Sequence, residues 1–111
     1  MEQRRMSEAD WRYLRRLEPQ LQERFGERAL AEVARATESK TSPHERFHEV
    51  VRVVQESERA WERVFADPRR SVAFVRLAAI RDLGLLTDEE FAGFAEESRA
   101  AVAVLLELWE S

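Results

Sequence analysis

The feature that most constrains the fold of this chain is a set of helix start signals spread along its length. Ser7, Ser42 and Thr87 each precede a stretch of helical composition, and each side chain can accept a hydrogen bond from a free first-turn amide. Asp67 stands in the same position before Pro68, and proline fits a first helical position because its missing N–H is not needed there. These signals predict a chain made of successive helices.

Apolar residues recur at helical spacing between these signals. In 7–39 one apolar stripe continues across Pro19, which leaves open whether this segment is one bent helix or two. We therefore predict an all-α fold, an up-and-down bundle of four to five helices in which the whole chain, 1–111, forms a single helical domain. The remaining predicted helices cover about 43–66, 68–83 and 88–109.

The second predicted helix is amphipathic. Charged residues fill one side of it, and we expect the apolar side to face the core. The residues on that side are Phe47, Val50, Val51, Val54, Ser57, Trp61, Val64 and Phe65.

The run from Ile80 to Phe91 predicts a helical hairpin. Gly84 can adopt the left-handed conformation that ends a helix, and Thr87 can cap the next one. This run resembles the turn of bacterial short C-terminal (SHOCT) hairpins, which implies two helices joined by this turn and no particular activity.

Two predicted helices are apolar on almost every side. Val72–Ile80 carries Arg76 as its charged residue, and Ala100–Leu106 carries no charge. A small bundle can enclose one such helix but not easily two, so we expect a second copy to cover the other, as a homodimer with twofold symmetry. The candidate interface residues are Val72, Val75, Val102, Leu105, Leu106 and Trp109.

Residues 44–48 match H-E-x-x-H, in which two histidines one turn apart hold zinc and the glutamate is a general base. The motif occupies a first helical turn, where the helix dipole disfavours a cation. At 100° per residue, His44 and His48 lie at the rim of the apolar stripe and Glu45 faces solvent. We expect no cofactor and no resident metal. A zinc-dependent hydrolase with His44 and His48 as ligands and Glu45 as base remains the alternative function.

Arg69 and Arg70 place two guanidinium groups at a predicted helix start, where free amides attract anions. The net charge of −4 disfavours general nucleic-acid binding. We expect Asp67 to cap this helix and both arginines to be surface residues, with an anion- or nucleic-acid-binding regulator as the second alternative. Other basic residues near the start of the chain are Arg4, Arg5, Arg12, Arg15 and Arg16.

Composition excludes several classes of function. The chain has no cysteine, so it has no disulfide and no thiol nucleophile. No apolar run reaches the roughly 20 residues that span a bilayer, and the first residues are charged, unlike a signal segment. We expect a non-enzymatic protein-interaction or regulatory module of the bacterial cytoplasm that self-associates through its apolar C-terminal helices.

Overall fold

The computed structural model describes residues 5–111, and all regular structure in this part of the chain is helical. The predicted all-α class is confirmed. None of the described helices is both long and apolar enough to cross a membrane. The helices are α1 (Glu8–Glu38), α2 (Pro43–Phe65), α3 (Ala73–Asp82), α4 (Asp88–Ala92) and α5 (Glu96–Glu110), with a 3-10 turn (Arg70–Val72) before α3.

The first segment is one continuous helix. Ser7 caps it, its Oγ accepting from the Asp10 amide at 3.2 Å, and α1 runs through Pro19 without a break. Proline removes the amide that would pair with the Arg15 carbonyl. Both residues are exposed, so this carbonyl lies where water can reach it. The helix therefore tolerates Pro19, which resolves the question that the sequence left open.

Helices α1 and α2 form an antiparallel hairpin. Near the connector, Arg46 Nη1 donates to the Thr37 carbonyl at 3.2 Å. Farther along, the Phe25 ring packs edge-on against Trp61 and Phe65, with ring centroids 5.5 and 6.0 Å apart. These contacts join the end of α1 to the start of α2 and the middle of α1 to the end of α2.

Helix α3 is buried over most of its surface within a single copy of the chain. Its one buried charge, Arg76, donates from Nε to the Val64 carbonyl at the end of α2 (2.7 Å) and from Nη2 to Glu18 of α1. Intramolecular packing thus covers one of the two apolar helices that the sequence predicts. The other buried residues of α3 are Ala73, Leu77, Ala78, Ala79 and Ile80.

The predicted helix 68–83 begins later than expected. Asp67 does not cap a helix; its carboxylate accepts from the Arg69 amide at 3.1 Å and from the Arg69 guanidinium at 2.6 Å. The chain then passes through the 3-10 turn, and α3 starts at Ala73 without a side-chain cap. The local pair between Asp67 and Arg69 consumes the acceptor that a cap would need.

The turn between α3 and α4 agrees with its prediction. Gly84 adopts a left-handed φ of 71°, and the Leu85 amide reaches back to the Ile80 carbonyl at 3.2 Å. Thr87 and Glu90 form a reciprocal capping box, with bonds of 3.1 and 2.9 Å.

The predicted continuous last helix, 88–109, is wrong: the chain breaks between Ala92 and Glu96. The reason is a cap supplied from the other end of the chain. The buried Asp10 carboxylate accepts from the Ala95 amide at 3.1 Å and from the Ser98 hydroxyl at 2.5 Å. Asp10 thus stabilises the start of a new helix, and the local signal of the break is Gly93, the C-cap of α4.

Close packing against α1 fixes the same break. The Tyr13 ring packs on buried Phe94 with centroids 4.7 Å apart, and its hydroxyl donates to the Glu90 carbonyl at 2.9 Å. A Cβ at Gly93 would lie 2.5 Å from the Tyr13 hydroxyl oxygen. Glycine is therefore required here to let the Tyr13 ring approach.

The molecule is elongated, 56 × 29 × 23 Å, because α1 alone, with 31 residues, is about 46 Å long. Within residues 5–111, the side-chain hydrogen bonds between α1 and the C-terminal helices involve residues from Asp10 to Arg28 of α1. The distal hairpin, residues 29–54, extends past this covered region.

The Asp10→Ala variant should lose about 2–3 kcal/mol of unfolding free energy, because the Ala95 amide and the buried Ser98 hydroxyl lose their acceptor. Urea denaturation would measure the loss. Ser7→Ala, which removes an ordinary local cap, is the matched control and should cost about 1 kcal/mol. If Asp10→Ala costs no more than Ser7→Ala, Asp10 does not hold α5.

Candidate functional site

The H-E-x-x-H motif lies exposed on the first turn of α2. The Nε2 atoms of His44 and His48 are 3.2 Å apart, and the two rings meet edge to face. Glu45 is exposed, and its amide donates to the Ser42 cap. Within residues 5–111 there is no group of three or more His, Cys, Asp or Glu side chains that could hold a metal ion. The described residues thus supply two imidazoles and no third ligand, whereas hydrolytic zinc sites use three.

The candidate anion-binding arginines are engaged by other groups. Arg69 pairs with Asp67, and the guanidinium holds the pKa of that carboxyl at about 2. Arg70 donates from Nε to the Met6 carbonyl at 2.6 Å, which ties the 3-10 turn to the start of the chain. The two side chains are therefore held in separate contacts.

The N-terminal arginines are spread over local contacts. Arg12 pairs with Glu8 at 2.7 Å, Arg15 stacks over Trp11 and Arg16 over Tyr13. Arg5 is exposed, and Arg4 lies outside the described residues.

The six candidate interface residues occupy different environments. Val102 is buried in the core of a single copy, so it cannot contribute to an exposed face in this structure. Val75 and Trp109 are about half exposed. Val72, Leu105 and Leu106 are half-buried.

Sequence reasoning missed the two most exposed large apolar residues of α5. Val104 is 56% exposed and Leu108 is 64% exposed. With Ala101 and Leu105 they fall at spacings of three, four and seven residues, on one side of the helix. We call these four residues the α5 seam. Their helical spacing shows that these four residues share one side of α5. It does not show which side of α5 packs on the core, because the run is apolar on every side.

The apolar stripe of α2 is only partly buried, contrary to expectation. Phe47 is 65% exposed, and Val54 and Trp61 are also exposed. Across the hairpin, Leu30 is 70% exposed, whereas Ala29 and Val33 are half-buried. Together these side chains border an apolar groove between α1 and α2.

This groove has a volume of about 290 Å³ around Phe25, Ala29, Leu30, Val33, Val54 and Trp61. A second depression continues it towards the connector and is lined by Phe47 and Val50. We call these eight residues the hairpin groove. Phe47 and Trp61 are 14 residues apart in α2, so the groove runs about 21 Å along the helix at 1.5 Å per residue.

The opposite side of the hairpin is polar. Arg52 donates to Glu56 at 2.7 Å and to Glu49, and its hydrogen bond to Glu49 lowers the pKa of that carboxyl. Glu32 and Arg35 of α1 line a polar depression together with Glu49 and Arg52. One face of the hairpin is therefore charged and the other apolar.

Arg24 is held by the C-terminal helices. It forms a bidentate pair with Glu90, at 2.7 and 3.0 Å, and donates to the Leu85 carbonyl at 2.8 Å. The hydrogen bonds from Arg24 lower the pKa of the Glu90 carboxyl to about 2, and the Thr87 contacts add to this effect. Arg24 is thus committed to α4.

No protein-family model matches this sequence, and neither the curated proteins nor the solved structures include a detectably similar chain.

The Arg24–Glu90 pair should make stability depend on acid pH. Because the pKa of Glu90 falls from 4.5 to about 2 on folding, the ionised carboxylate stabilises the fold above pH 4.5, and this contribution disappears as pH falls towards 2. Glu90→Gln should cost about 1–2 kcal/mol at neutral pH, since solvent still reaches the pair. Denaturation of the wild type and of Glu90→Gln between pH 7 and about pH 2 tests this prediction. A difference in unfolding free energy that stays constant down to acid pH would show that the Glu90 carboxylate does not stabilise the fold in this way.

Proposed function

We propose that this protein is a non-enzymatic interaction module that pairs with a second copy of itself through the α5 seam. The observation that supports this proposal is the continuous apolar stripe on α5, whose two outermost side chains, Val104 and Leu108, are more than half exposed. An apolar stripe in this position is typical of a protein–protein contact.

The spacing of the seam suits a pair of identical helices. Residues at three, four and seven positions apart form the contact line of two-stranded helical packing. A twofold axis would bring the same four residues from each copy together. Glu110 lies on the side of α5 opposite the seam, and Glu107 lies about 110° from its centre, so neither carboxylate falls within the seam. Glu97, four residues before Ala101, lies at the start of the seam and is exposed.

The length of α5 limits the expected affinity of the dimer. Its 15 residues extend about 22 Å, whereas stable interfaces bury about 800 Å² on each partner. One seam of this length supplies less than that. We therefore expect a weak dimer, with a dissociation constant in the micromolar range.

The other expectations stay predictions. They are the up-and-down arrangement of the bundle and a location in the bacterial cytoplasm. The zinc-hydrolase alternative has two candidate ligands, His44 and His48, and Glu45 as its base. The anion-binding alternative depends on Arg69 and Arg70, whose guanidinium groups already have partners.

Sedimentation equilibrium tests the self-association. At roughly 100–200 µM the wild-type protein should show a mass rising above 13.0 kDa towards twice that value, consistent with micromolar affinity. Leu108→Glu should stay at the monomer mass, because it places a charge in the seam.

Ala103→Glu is the matched control, since it adds the same charge to an exposed position of α5 away from the seam. It should associate like the wild type. A monomeric wild type at these concentrations, or equal loss in both variants, would overturn the proposal.

A further inference from the structure

The hairpin groove lies on helices that the α5 seam does not use, and it differs from the seam in its charge. We infer that the hairpin groove binds a basic amphipathic helix of a partner protein. The inference is independent of self-association, because it rests on α1 and α2 alone.

The shape of the hairpin groove suits a helix. It runs between two antiparallel helices, and its lining is almost entirely apolar. A partner helix of about 14 residues covers its length of about 21 Å. The partner would present apolar side chains about one turn apart, which is the helix-in-groove mode of recognition.

Carboxylates line both outer edges of the hairpin groove. On α1, Glu27 and Glu23 lie three and seven residues before Leu30, on the same side of the helix. On α2, Glu58 and Glu62 lie four and eight residues after Val54. Glu58 also lines the groove directly.

These four carboxylates are available to a ligand. All four are exposed, and none forms an ion pair within the described part of the chain. Arg24 interacts electrostatically with Glu27 but forms its ion pair with Glu90. The groove edges therefore present four exposed carboxylates that no ion pair among the described residues occupies.

The basic residues of α2 do not offset this charge. Arg59 and Arg63 lie roughly 140° and 180° around the helix from Val54, which places them away from the groove. Arg46 lines the distal end, where it is bonded to the Thr37 carbonyl. The four carboxylates all lie near the Trp61 end, so the partner should place its positive charges there and its most apolar turn over Phe47.

Two designed helical peptides provide the test. Both carry leucines at helical spacing over about 14 residues; one has lysines flanking the leucines in one half, and the other has glutamates at those positions. Fluorescence anisotropy should show that the lysine peptide binds the full-length protein and that the glutamate peptide binds at least tenfold more weakly. Raising the salt concentration from about 50 to about 500 mM should weaken binding of the lysine peptide, since salt screens exposed charges.

Variants locate the binding. Leu30→Asp and Val54→Asp, one on each helix, should each weaken the lysine peptide at least tenfold. Both positions are exposed, so the fold should persist, which circular dichroism checks. Val104→Asp on α5 is the control and should leave peptide affinity within about twofold.

A charge-reversal pair separates local from overall charge. Glu58→Lys with Glu62→Lys should weaken the lysine peptide several-fold, whereas Glu107→Lys with Glu110→Lys, the same change in net charge on α5, should have little effect. Equal effects of the two pairs, or binding that Leu30→Asp and Val54→Asp leave intact, would overturn the inference. Loss of self-association in Val54→Asp would also overturn it, because the occupant would then be a second copy.

Discussion

The structure depends on the buried guanidinium of Arg76. It bonds to the Val64 carbonyl and to Glu18, so a single side chain of α3 fixes both helices of the hairpin. An unpartnered buried charge would be costly, which means that α3 can pack only where both partners are present. This places α3 at one end of the hairpin. The other end remains without a covering helix.

The two exposed apolar surfaces follow from that placement. Helix α5 packs on the side of α3 that the hairpin leaves open, and its own outer side becomes the α5 seam. The distal part of the hairpin groove, from Leu30 and Val54 to Phe47, is exposed because α3, α4 and α5 are too short to follow α1 and α2 to their distal end. The two surfaces differ in charge and therefore suit different partners. The uncharged α5 seam suits the same seam of a second copy, whereas the acidic edges of the hairpin groove suit a basic helix.

Local chemistry made part of this fold predictable. Ser7, Ser42 and Thr87 cap helices as expected, since a cap needs only residues within one turn. Gly84 ends α3 for an equally local reason. The break before α5 was harder to predict: Gly93 marks it locally, but the carboxylate that holds it is Asp10, at the other end of the chain.

The exposed surfaces were harder to predict than the helices. Periodicity showed that Phe47, Val54 and Trp61 share one side of α2, but it does not show whether another element covers that side. In the same way, Val102 and Val104 both belong to one apolar run, and only the packing of α5 on α3 separates the buried residue from the exposed one. Whether an apolar side is covered depends on how the helices pack against one another, which the spacing of residues within one helix does not show.

One copy of the chain leaves the outer side of α5 uncovered, and we propose that a second copy covers it. Hydrogen exchange at about 2 µM and about 200 µM protein tests this most directly, since dimer formation shields the amides of the paired helix. The account predicts that exchange in 101–109 slows at the higher concentration while exchange in 47–54 does not change. Exchange in 101–109 that is independent of concentration, or slowing confined to 47–54, would contradict it.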